Sequence, residues 1–216
     1  MDIKAVIFDM DGVIIDSEPL YRKIQDSVFA GLGFSVQDAE YDTFIGLGLK
    51  IMWEKLIASR QLIQSNDTLI ELNNRQIYEF FRNEEYLEPM PGFVAFMDYC
   101  MMKNLKIAVA SSTAKRVIEI ILKKIGVLDK FPIIVSGEEV KTGKPAPDIF
   151  LEAAGRMKLS PVNCLVIEDS ENGVKAAKSA QMFCVGLQNP HSGNQDLSTA
   201  DMIVKKFDEI KLGHLL

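Results

Sequence analysis

The chain has 216 residues, with 24 basic and 30 acidic side chains for a net charge of −6, and is 48% hydrophobic, enough for one large core or a core with an insertion. The acidic balance and the lack of a Lys/Arg cluster argue against nucleic acid or an anionic membrane as a partner. The N-terminus has no basic start and its apolar stretch breaks at Asp9, too soon for a signal peptide or a membrane helix, so a cytoplasmic protein is expected.

The first predicted element is the strand AVIF (5–8), an apolar run of the kind buried on both faces. Asp9, Asp11 and Asp16 follow at once, although an unpaired carboxylate in a low-dielectric interior is strongly disfavoured. Residues 17–88 then show helical patterns only, over about 19–31, 36–43, 50–63 and 66–86, with Gly31-Leu32-Gly33 as a turn. Ser17, Glu18 and Pro19 make a helix start, with a small polar cap and proline in the first turn. The segment EPMPG (88–92) reads as a return linker.

Beyond it, strands alternate with helices. KIAVAS (106–111), PIIVSG (132–137), CLVIED (164–169) and FCVGL (183–187) are continuous apolar runs. Thr113 is placed to cap a helix through Val117, Ile118, Ile121, Leu122 and Ile125, stopped by Gly126. Pro147 opens a second helix containing Ile149, Phe150, Ala153, Ala154 and Met157, and 172–180 forms a third. Cys100, Cys164 and Cys184 are odd in number and widely spaced, which fits buried thiols. This pattern predicts an α/β fold: a doubly wound, Rossmann-like parallel sheet (1–16 and 89–216) with an inserted α-helical cap (17–88). No long apolar heptad or exposed stripe is evident, so a monomer is expected.

In such a sheet, ligands bind at the carboxyl ends of the strands. There the sequence places Asp9 and Asp11, then Ser111 and Ser112, then Glu168 and Asp169, with Lys144 in the loop after 132–137. Carboxylates suit a hard cation such as Mg2+, while hydroxyls and an ammonium suit phosphate oxygens. Asp9 is able to attack phosphorus, and Asp11, two residues on and so on the same side of a strand, to serve as acid and base. Standing alone, each has a plainer reading: turn-forming aspartates, a capping serine, a surface lysine, solvated strand-end acids.

Together, Asp9-Met10-Asp11-Gly12-Val13, Ser111 after KIAVA, Lys144 in GKPAPDIF and Glu168-Asp169-Ser170 with Asn172-Gly173 resemble the haloacid dehalogenase superfamily, in its β-phosphoglucomutase-like, helical-cap branch. The resemblance implies Asp9 as nucleophile, Asp11 as acid/base, and Mg2+ held by Asp9, Asp11 through its carbonyl and Asp169, with help from Glu168. Ser111 and Lys144 would bind the phosphoryl group. Glu18, Gly46, Lys50 and Ser112 are further candidates for contact with a small phosphorylated metabolite. The sequence departs from the sugar-phosphate mutases in its cap. Tyr21 stands where those enzymes carry a histidine, and the loop Phe44–Lys50 retains only Gly46 and Lys50 of the polar cluster. Hydrolysis is therefore expected, with a mutase, a dehalogenase-type C–X hydrolase or a non-catalytic relative as alternatives.

Overall fold

A computed structural model describes residues 1–214. Six parallel strands form one sheet in the order β3-β2-β1-β4-β5-β6. They are β1 (Ala5–Phe8), β2 (Lys106–Ser111), β3 (Ile134–Ser136), β4 (Cys164–Glu168), β5 (Phe183–Leu187) and β6 (Met202–Val204). Side chains alternate between the two faces, as a strand requires. Val6 and Phe8 join one apolar cluster with α5 (Phe93–Met102) and α6 (Lys115–Lys124), whereas Ala5 and Ile7 join another with α7 (Asp148–Met157) and α8 (Glu171–Ser179). Both layers are apolar, which explains why the strand runs lack alternation. The fold is thus the doubly wound, Rossmann-like sheet that the alternating pattern predicted.

The chain between β1 and α5 is helical throughout: α1 (Glu18–Gly31), α2 (Asp38–Tyr41), α3 (Leu49–Arg60) and α4 (Asn66–Asn83). This insert has an apolar cluster of its own, built on Phe29, Trp53, Leu56 and Leu69. Trp53 is sealed inside it, edge-on to Phe29 with ring centroids 5.7 Å apart. The base of the insert packs on the sheet layers instead, through Ile24, Ile77 and Phe81. Its two linkers pair with each other: Ile15 bridges Pro89, and Met90 N donates to Ile14 O at 2.7 Å.

Two helix starts differ from expectation. Thr113 does not cap α6, because the helix starts at Lys115 and Ala114 occupies the cap position without a side-chain bond; the Thr113 hydroxyl donates instead to the Asp11 carboxylate at 2.7 Å. Ser17 sits at the cap position of α1 but makes no capping bond, leaving Pro19 as the start signal. Gly126 does end α6, with φ +76°. The three cysteines are buried free thiols. No helix among the described residues is long and apolar enough to cross a membrane.

Candidate active site

β1 lies at the centre of the sheet, where the chain order reverses, so its carboxyl end opens into a crevice. Asp9 N continues the ladder to Ile167 O at 3.0 Å, which sets Asp9 beside Glu168 and Asp169 at the end of β4. Carboxylate oxygens of Asp9, Glu168 and Asp169 all lie within 4.8 Å of one another. Gly12 lets the chain turn away with φ +76°, and a Cβ there would fall 1.9 Å from Asp169 Oδ2. Only glycine fits that approach.

Lys144 reaches this cluster from the loop before α7, donating to Asp9 Oδ1 at 2.5 Å and Glu168 Oε1 at 2.6 Å. Burial alone would lower its pKa, but the Asp9 and Glu168 carboxylates outweigh that and hold the ammonium above its usual range. Against this one cation stand Asp9, Asp11, Glu168 and Asp169. Burial, reinforced by the neighbouring carboxylates and opposed by Lys144, pushes Asp9 well above the normal carboxylate range; burial and Glu168 do the same to Asp169. Such a surplus of buried negative charge fits a small hard cation.

Within the cluster the roles separate. Both oxygens of Glu168 are taken, by Lys144 on one side and by Asp169 N, Ser170 N and Ser170 Oγ on the other. Its charge holds Lys144 and the start of α8, which leaves Asp9 and Asp169 as the carboxylates with an oxygen to spare. Asp169 Oδ2 accepts from Ser192 Oγ.

Asp11 points elsewhere. Its Oδ2 accepts from Thr113 Oγ1 and from Ser111 Oγ at 3.2 Å, while Oδ1 is sealed from solvent without a partner. Ser111 is fully buried between Asp11 and Thr113 N, and does not line the cavity described next. The hydroxyls that reach it from this loop are those of Ser112 and Thr113.

A cavity of about 530 Å³ lies between the sheet ends and the helical insert. Asp9, Asp11, Lys144 and Asp169 line its floor; Glu18, Tyr21, Gln25, Tyr41 and the loop around Gly46 line its roof. Lys50 stays outside, exposed in the first turn of α3. The candidates Glu18, Gly46 and Ser112 are therefore brought to the cavity, and Lys50 is not.

Several neighbours had no sequence signal. Asp16 pairs with His191 Nδ1 at 2.5 Å and accepts from Asn189 Nδ2 at 3.2 Å, tying the first linker to the loop after β5. Gln195 of that loop accepts from Glu171 N and reaches Gly46, where a Cβ would meet its Nε2 at 2.9 Å.

Glu18 accepts from Tyr41 Oη at 3.2 Å. Burial raises its carboxyl from 4.5 to about 7, with the Tyr41 bond opposing. The folded state thus holds this proton more tightly than the unfolded chain. The associated stability is complete below pH 4.5 and is lost as pH rises through 7. Glu18→Gln keeps an acceptor for Tyr41, and should raise the melting temperature at pH 8 by about 2–4 °C while giving no gain at pH 4. An equal shift at both pH values would contradict a desolvated carboxyl.

Residues 3–181 match the family model for haloacid dehalogenase-like hydrolase. The chain belongs to that family. This member is 34% identical over 182 residues to the phosphorylated carbohydrates phosphatase of Thermotoga maritima, covering 82% of each chain. It is 31% identical to the β-phosphoglucomutase of Bacillus subtilis, over 97% of this chain and 92% of that one. The crystal structure of CbbY from Rhodobacter sphaeroides in complex with phosphate superposes with a TM-score of 0.85, covering 98% of this chain and 96% of that one at 23% identity, which shows the shared fold. The four-motif resemblance therefore named the family correctly, and the haloacid dehalogenase-like chain is an enzyme of the phosphatase type.

Proposed function

We propose that this enzyme is a Mg2+-dependent phosphomonoester hydrolase for a small phosphorylated metabolite, a sugar or polyol monophosphate, working through an aspartyl-phosphate on Asp9. The observation that carries the reading is the asymmetry of the cavity. Its floor gathers Asp9, Asp11, Asp169 and Lys144, while Lys144 is the only Lys or Arg among its lining residues.

Asp9 and Asp169 would hold Mg2+, with the Asp11 carbonyl and phosphate oxygens completing the set. When bound, the ion screens the repulsion between the carboxylate and a phosphate dianion. Lys144 orients Asp9 and supplies a fixed positive charge, and the Ser112 hydroxyl is the one in this loop left to donate to the phosphoryl oxygens. An Asp9 oxygen attacks phosphorus, the ester P–O bond breaks, and Asp11 gives its proton to the departing oxygen. Water then attacks the acyl phosphate as Asp11 takes back a proton, and the P–O bond to Asp9 breaks to release phosphate. Thr113 and Ser111 steady Asp11 for both transfers. The helical insert acts as a cap that excludes bulk water.

The relationship to β-phosphoglucomutase raises a second reading, phosphoryl transfer within a sugar phosphate. A mutase has to grip a second phosphate beneath the cap. Here that face offers the Glu18 carboxyl, two tyrosines and carboxamides, and no cation, which favours hydrolysis. A product assay on sugar and polyol phosphates with Mg2+ tests this. Release of inorganic phosphate is expected, abolished by chelation and restored by added Mg2+. Isomerised sugar phosphate without phosphate release would establish the mutase.

A further inference from the structure

The face of α1 that looks into the cavity carries Glu18, Tyr21 and Gln25, spaced three and four residues apart as neighbours on one side of a helix must be. Two of these groups are already engaged. Glu18 accepts from Tyr41 Oη, and Tyr21 Oη shares a hydrogen bond with Thr113 Oγ1 at 3.3 Å. Gln25 is different: its side chain is buried, at 4% exposure, and its Oε1 has no hydrogen-bond partner. Seven residues along the helix from Glu18, it stands about 10 Å deeper into the cap.

A carboxamide inside an apolar bundle is costly when its oxygen is unpaired, and leucine or methionine at that place would carry no such cost. Asn73 and Trp53 Nε1 also lack partners, yet neither lines the cavity. Asp11 Oδ1, on the catalytic floor, is the other unpaired acceptor of a lining residue; among the described residues of the roof, Gln25 alone joins an unpaired buried acceptor to the wall of the substrate space.

We propose that Gln25 is a specificity-determining residue that recognises a hydroxyl on the organic part of the substrate, remote from the phosphate. The inference rests on the phosphatase reading and narrows it to hydroxyl-bearing esters. Rotation about the terminal torsion of Gln25 is broad and nearly two-fold, so the carboxamide presents either its acceptor or its donor to a hydroxyl. Turned toward the cavity, Oε1 accepts from the substrate hydroxyl and so gains the partner that the fold itself does not give it. Met52 and Ile77, which line the same region, accommodate the carbon chain.

The test compares glucitol 6-phosphate with n-hexyl phosphate, a six-carbon ester without hydroxyls, on the wild-type enzyme, Gln25→Met and Gln25→Leu. The wild type should prefer the polyol ester. In both variants the ratio of kcat/KM for the two esters should fall by about tenfold or more. The melting temperature of at least one variant should equal or exceed that of the wild type, because an unsatisfied polar group has been removed. An unchanged ratio in an active, folded variant overturns the inference while leaving the phosphatase reading intact. A lowered melting temperature in both variants with equal losses on the two esters also overturns it, since that marks an internal packing role. A wild-type enzyme that releases phosphate from neither ester, nor from a wider ester panel, overturns the phosphatase reading and this inference with it.

Discussion

Asp9→Asn is expected to lower phosphate release by on the order of 10⁴-fold or more while leaving the fold intact. The asparagine oxygen still accepts from Lys144, but a neutral amide does not form the acyl phosphate. Stability should hold, for a physical reason. Asp9 is 5% exposed and faces Glu168, Asp11 and Asp169, so its charge is desolvated and repelled as well as paired. Removing that charge relieves the surplus even as the ion pair is lost. Lys144 keeps Glu168 at 2.6 Å and stays in place. The measurement is phosphate release under saturating Mg2+, beside a thermal melt of both proteins. Mass spectrometry after rapid quenching adds a direct reading: a phosphoryl adduct in the wild type, none in the variant. A variant that turns over at an undiminished rate would remove Asp9 as the nucleophile.

How much of this was legible in the sequence depended on whether a residue's role was local. The buried strands stood out because both faces of β1, β2 and β4 meet apolar helices, so their sequences carry uninterrupted apolar runs. β6 left no such trace: it has three residues, and Ile203 is 46% exposed at the sheet edge. α5 was equally silent, since FVAFMDYCMM is apolar on almost every side and shows no 3.6-residue period. The acids and the lysine were readable because a strand end fixes where the next residue points. Asp9, Glu168 and Asp169 needed only their strands to be found, whereas β1 ends at Phe8 and Asp11, beyond it, turns to Ser111 and Thr113 and does not share a strand face with Asp9 as expected. Lys50 was misplaced because a loop of glycines says little about which side chain turns inward. Ser192, Asn189 and Gln195 lie in a stretch without periodicity, and their contacts with Asp169, Asp16 and Gly46 span separations of 23 to 173 residues. Chain pattern cannot carry that information; the tertiary fold does.

Lys144→Met should produce the largest loss of stability, about 3–5 kcal/mol, because it strips the cation from two buried acids. The side chains of Lys144, Asp9 and Glu168 are 7%, 8% and 1% exposed, so water does little to replace what is lost. Lys144 Nζ also lies 5.0 Å from the Phe150 ring centroid, a contact that methionine replaces only in part. For a chain of this size, that loss corresponds to a melting temperature lower by roughly 6–20 °C. The cause is separable from simple packing by a second substitution. Glu168→Gln in the Lys144→Met background removes one stranded charge but keeps an acceptor for the amides of Asp169 and Ser170. The double variant should recover part of the stability, whereas Glu168→Gln alone, with Lys144 present, should destabilise. Additive losses instead would mean that Lys144 acts through its volume and not its charge. Phosphate release by Lys144→Met should be lost in either case, since the same ammonium that makes the acid cluster foldable is the fixed positive charge beside Asp9 on the cavity floor.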